Sequence, residues 1–79
     1  MATVRYFAGA AEAAGRDEER LGASDLGALR AAMLAAHGDA LARVLGRCSI
    51  LVNGRRVDDD AAPIRHDDTV DILPPFAGG

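Results

Sequence analysis

The chain has no lysine and no tryptophan, a single cysteine, and three aromatic residues, Tyr6, Phe7 and Phe76. One cysteine excludes an internal disulfide and gives no sign of an oxidising compartment. No apolar run approaches the length that spans a bilayer, so no membrane association is expected. The start of the chain lacks a basic stretch followed by a long apolar segment; no signal peptide and a cytoplasmic location are expected. A net charge of −3 argues against nucleic acid, because phosphate binding needs a basic surface. There is no glycine-rich phosphate loop, no Ser-His-Asp set and no zinc-ligand spacing, so neither a bound cofactor nor a metal is expected. Without lysine, the chain cannot build lysine-linked chains on itself. Any part it takes in catalysis would be as a carried group and not as a pocket.

What is present is enough for one small domain. At 79 residues the chain is near the lower limit for an unstapled core, and alanine inflates its 49% apolar content. Thr3-Val4-Arg5-Tyr6-Phe7 alternates and reads as a strand, with Val4 and Tyr6 on one side. Ala10 to Ala14 makes one helical turn stopped by Gly15. Glu18 to Leu21 is a second strand with one good apolar member, Leu21. Ser24 or Asp25 caps the main helix, in which Leu26, Leu29, Met33 and Leu34 share a face. Gly38 ends that helix, and a shorter piece follows with Leu41, Val44 and Leu45 buried.

Cys48 to Val52 is the clearest strand. Asn53-Gly54 gives the strongest hairpin signal, and Arg55-Arg56-Val57 is the short return strand. An irregular acidic segment from Asp58-Asp59-Asp60 leads through Asp67-Asp68 into a final strand, Thr69 to Leu73. One helix and a small sheet bury one shared face, which defines a two-layer α+β domain. With the first and final strands apolar enough to be central, this order matches a β-grasp, or ubiquitin-like, domain over residues 1–73. Residues 74–79 then form a flexible tail. His37 and His66 read as solvated loop histidines, Cys48 as a buried and inert thiol, and the acidic cluster as a solvated loop.

The tail carries the functional signal. Pro74-Pro75 cannot continue a central ladder, so the chain leaves the sheet there. Phe76 supplies one large apolar side chain, and Ala77-Gly78-Gly79 narrow the chain to nearly bare backbone. Six residues reach at most roughly 20 Å, enough to enter another protein's active site. The group on offer is the Gly79 carboxylate, ionised at neutral pH with a pKa of roughly 3.5. Conversion to an acyl-adenylate by ATP would make it an acyl donor that a sulfur nucleophile opens to a thiocarboxylate. Glycine at the last two positions keeps a Cβ out of that reaction.

These residues resemble those of the MoaD/ThiS family of ubiquitin-like sulfur carriers, most closely its molybdopterin-synthase small-subunit branch. The likeness is carried by Val4-Arg5-Tyr6-Phe7-Ala8, Val52-Asn53-Gly54, Asp68-Thr69-Val70-Asp71-Ile72 and Leu73-Pro74-Pro75-Phe76-Ala77-Gly78-Gly79, spread over essentially the whole chain. Where the family more usually has Asp-Gly-Asp before the last strand, this chain has His66-Asp67-Asp68. The resemblance implies a sulfur carrier and not an enzyme in its own right. A ubiquitin-activating-type adenylating enzyme would use ATP on Gly79, and a cysteine desulfurase or related donor would supply sulfur. The thiocarboxylate would then enter the large synthase subunit of a heterotetramer, with Pro74, Pro75, Phe76, Ala77 and Gly78 as the partner-binding tail. There it would sulfurate cyclic pyranopterin monophosphate to form molybdopterin. The rival expectations are a carrier for thiazole or cysteine synthesis, a ubiquitin-like protein modifier, and a purely structural interaction domain.

Overall fold

The structure, a computed structural model, describes residues 1–75. Its elements are β1 (Ala2–Tyr6), α1 (Gly9–Ala14), β2 (Glu18–Leu21), α2 (Leu26–Leu45), β3 (Ser49–Val52), β4 (Arg55–Arg56) and β5 (Thr69–Leu73). The five strands form one mixed sheet in the order β2-β1-β5-β3-β4. The first and last strands lie side by side in parallel at its centre, with Val4 opposite Val70 and Tyr6 opposite Ile72. The other pairings are antiparallel. This is the β-grasp arrangement expected from the element order.

The core is built by the two periodicities. Ala2, Val4 and Tyr6 from β1, Val70 and Ile72 from β5, and Ile50 from β3 point to one face. Leu26, Leu29, Met33, Leu41 and Leu45 from α2 complete the cluster. Leu34, expected on this face, is 36% exposed. It sits at the margin of the apolar stripe, where the helix surface turns away from the sheet.

The punctuation is set by a few backbone positions. Asp25 caps α2 by accepting from Ala28 N at 2.7 Å. Asn53 and Gly54 both have positive φ, 51° and 84°, as a tight hairpin between β3 and β4 requires. At Gly38 the helical dihedrals are interrupted (φ 68°, ψ −149°), so α2 is two helical pieces joined at a kink. The return strand is shorter than expected and ends at Arg56, although Val57 N still donates to Ile50 O.

Candidate functional site at the end of the central strands

The candidate site begins where β5 stops. Leu73 stands opposite Ser49 of β3, and on the other side Phe7 N donates to Ile72 O at 3.1 Å. The exit from β5 is thus flanked by the end of β1 and the start of β3. Pro74 follows half-buried and Pro75 exposed, directly after the strand, which is where the sequence places the break. The remaining tail positions named from sequence, Phe76, Ala77, Gly78 and Gly79, lie outside the described residues.

Around this exit the helix-free face of the sheet is both apolar and charged. Phe7 is 37% exposed, with the Arg5 guanidinium 5.7 Å from its ring centre. That guanidinium is held in a two-pronged pair with Asp71 on β5, at 2.6 and 2.9 Å. The hydrogen bond and charge of Asp71 push the pKa of Arg5 above its ordinary value. Beside Phe7 an open cleft of about 340 Å³ runs between Tyr6, Phe7, Ala8 and Ala11 and the acidic Asp17 and Glu18. Its lining includes Ala8, whose φ of 50° with ψ of −123° is uncommon for a residue with a Cβ.

The ionisable residues elsewhere are engaged in structure. Glu19 Oε2 accepts from Tyr6 Oη at 2.6 Å and meets His37 Nε2 at 2.5 Å. The Tyr6 and His37 rings stand edge to face with centres 5.7 Å apart. Burial opposes ionisation of Glu19, but the bonds from Tyr6 and His37 and the charges of His37 and Arg16 outweigh it and hold its pKa below the usual carboxylate range. Burial and the bond to Glu19 push the Tyr6 phenol up. His37 therefore departs from the solvated loop histidine expected: its side chain is only 11% exposed. No spacing rule links residues 19 and 37, so only the packing of α2 against β2 brings them together.

Cys48 precedes β3 instead of lying within it. It is half-buried, its thiol donates to Val44 O at 3.3 Å, and burial raises its pKa. The acidic segment is tied down locally. Asp59 accepts from Ala61 N at 2.9 Å, and Asp60 pairs with Arg30 at 3.1 Å. The turn into β5 rests on Asp68, which accepts from Arg65 N and Asn53 Nδ2, each at 2.8 Å. Those two bonds hold its pKa below the usual range. Among the described residues no group of three His, Cys, Asp or Glu is placed to hold a metal ion. No described helix is long and apolar enough to cross a membrane.

Comparison with known proteins agrees with this arrangement. Residues 4–79 match the ThiS family. Among solved structures, the chain is similar to one in the complex of subunits 1 and 2 of molybdopterin-converting factor from Helicobacter pylori 26695. That match has 31% identity and a TM-score of 0.75, covering 99% of this chain and 97% of that one. It is also similar to SAMP1 from Haloferax volcanii, with 27% identity, a TM-score of 0.85 and coverage of 99% and 98%. A chain in the BexX/CysO complex of Amycolatopsis orientalis shares the fold, with a TM-score of 0.82, 20% identity and full coverage of both. No curated protein matches. The family match across nearly the whole chain, on a β-grasp sheet whose central strand ends at Pro74-Pro75, makes this protein a member of the ThiS family of ubiquitin-like sulfur carriers.

Proposed function

We propose that this protein carries sulfur as a thiocarboxylate on Gly79 and donates it to cyclic pyranopterin monophosphate in molybdopterin synthesis. The observation that carries the reading is the end of β5. A strand held on both sides by the sheet hands the chain to Pro74-Pro75 beside the exposed Phe7, four residues before Gly79. In the proposed cycle the Gly79 carboxylate attacks the α-phosphate of ATP and releases pyrophosphate, in the active site of an adenylating enzyme. A persulfide on a cysteine desulfurase or related donor then displaces AMP. A thiol cleaves the S–S bond of the resulting acyl disulfide, leaving the thiocarboxylate on Gly79 and a disulfide on the donor side. The loaded tail enters a large synthase subunit with Pro74, Pro75, Phe76, Ala77 and Gly78 as the recognised segment. The domain binds no cofactor in this scheme, because ATP belongs to the activating enzyme and the catalytic pocket to the large subunit. The 31% identity to a chain of the molybdopterin-converting factor complex supports this branch.

The test is direct. Incubation with ATP, the adenylating enzyme and a sulfur donor should exchange one oxygen for sulfur on the C-terminal fragment, as read by intact mass. Cys48→Ser should be loaded equally well, since its thiol is turned toward the Val44 carbonyl. A gain of one whole sulfur that mild reductant removes, and that Cys48→Ser lacks, would transfer the chemistry to the cysteine and overturn the proposal.

A second reading, a modifier joined through Gly79 to amines of other proteins, is favoured by the likeness to SAMP1. Conjugates of the tagged chain that resist reductant and require Gly79 would support it over the first.

A further inference from the structure

The two edges of the sheet are unequal. β4 is two residues long, whereas β2 presents four, Glu18–Leu21, with β1 on its inner side alone. The hydrogen-bond phase of β2 follows from one bond: Tyr6 N donates to Asp17 O at 2.7 Å. In an antiparallel ladder bonded pairs alternate, so Glu19 and Leu21 also turn their backbone groups to β1. Glu18 and Arg20 therefore direct their N–H and C=O groups away from the sheet. Their side chains are exposed, and neither forms an ion pair among the described residues.

We propose that this edge is a seam for a second copy of the chain, paired antiparallel about a two-fold axis at Glu19. Three registers would let the outward groups of two β2 strands bond. Glu18 opposite Glu18 and Arg20 opposite Arg20 each set like charges across the seam, which destabilises the pair. Glu18 opposite Arg20 of the other copy sets unlike charges at both hydrogen-bonded pairs. It makes four backbone hydrogen bonds and, by symmetry, two Glu-Arg pairs on the helix-free face. The two Glu19 residues then meet on the inner face, but each carboxylate is already bound to Tyr6 and His37 of its own chain. The result is a ten-stranded sheet in which β1 separates each β5 from the seam.

One residue guards the edge. Arg16 Nε donates to Glu18 O at 3.0 Å, occupying one of the outward carbonyls, and its Nη1 lies 3.6 Å from Glu19 Oε1. Pairing with a second copy replaces that guanidinium with the Arg20 N–H of the partner copy. Capping an exposed edge with a charged side chain is a common device against uncontrolled strand addition. Here it makes the seam weak and reversible.

The experiment is sedimentation velocity on the full chain over about 10 μM to about 1 mM, the range in which a short seam should associate. The parent should pass from monomer to dimer. Glu18→Arg should weaken dimerisation at least about tenfold by setting two arginine pairs across the axis. The double exchange Glu18→Arg with Arg20→Glu should restore it, and Arg16→Ala should strengthen it. Both exchanged residues are exposed, so each variant should fold, which circular dichroism checks. In the parent dimer, the Glu18 and Arg20 amides should exchange more slowly with solvent deuterium than in dilute monomer, while Glu19 stays unchanged. A parent that remains monomeric throughout, or a Glu18→Arg variant that dimerises as the parent does, overturns the proposal.

Discussion

The Glu19 carboxylate on the edge strand meets the His37 imidazole one residue before the kink in α2, Oε2 to Nε2 at 2.5 Å. This contact, with Tyr6 Oη as a second donor to the same oxygen, fastens the break in the helix to the sheet.

Glu19→Gln should therefore destabilise the domain by about 1–3 kcal/mol, because it weakens two partly buried bonds to one charged acceptor. The pH dependence has a definite sign. The folded pKa of Glu19 lies below its ordinary value, so its contribution is fully present above the unfolded pKa and is lost as pH falls through the folded one. The stability difference between parent and variant should be lost in acid, as pH falls through the folded pKa of Glu19. Urea unfolding at several pH values measures this, and a difference that persists undiminished in strong acid, where carboxylates are protonated, would refute it.

The hairpin and the turn into β5 are coupled through Asn53. Its Nδ2 donates to Asp68 and its Oδ1 accepts from Thr69 N, while its backbone occupies positive φ. Asn53→Ala should cost about 1–3 kcal/mol through the lost bonds and the left-handed position, where alanine is less at ease. Asn53→Gly, which relieves only the backbone, should recover part of that loss. Chemical denaturation compares the three proteins, and equal stability of all three would show that the side-chain bonds contribute nothing.

Phe76 is expected to act at an interface with the protein that receives the tail. Phe76→Ala should weaken that binding by a few kcal/mol, in the range of an aromatic hot spot, and leave the melting temperature of the isolated chain nearly unchanged. Calorimetry with the large synthase subunit checks the first expectation and thermal unfolding the second. Equal binding of parent and variant would remove Phe76 from the interface.

Much of the architecture was legible in the sequence because it rests on local signals. Alternation marked β1 and β5, the Leu26-Leu29-Met33 spacing marked α2, and Asn53-Gly54 marked the hairpin. Gly38 was expected to stop α2, and the helical dihedrals do break there. Pro74-Pro75, two residues without a ladder donor, fixed the end of the last strand and singled out the tail as the candidate site. The chemistry proposed for Gly79 rests on the sequence alone, since Phe76 to Gly79 lie outside the described residues.

Tertiary structure decided whatever depends on residues distant in sequence sharing one place. His37 looked like a solvated loop residue, yet packing of α2 on β2 buries it against Glu19. Arg5 and Asp71 are 66 positions apart and pair only because β1 and β5 lie side by side in register. Leu34 carried the right spacing but lies at the margin of the apolar stripe, where it stays 36% exposed. The outward direction of the Glu18 and Arg20 backbone groups was likewise invisible, because it depends on which side of β2 the first strand occupies. Periodicity determines which face of an element is apolar; only the assembled sheet determines what stands opposite it and which edge is left open.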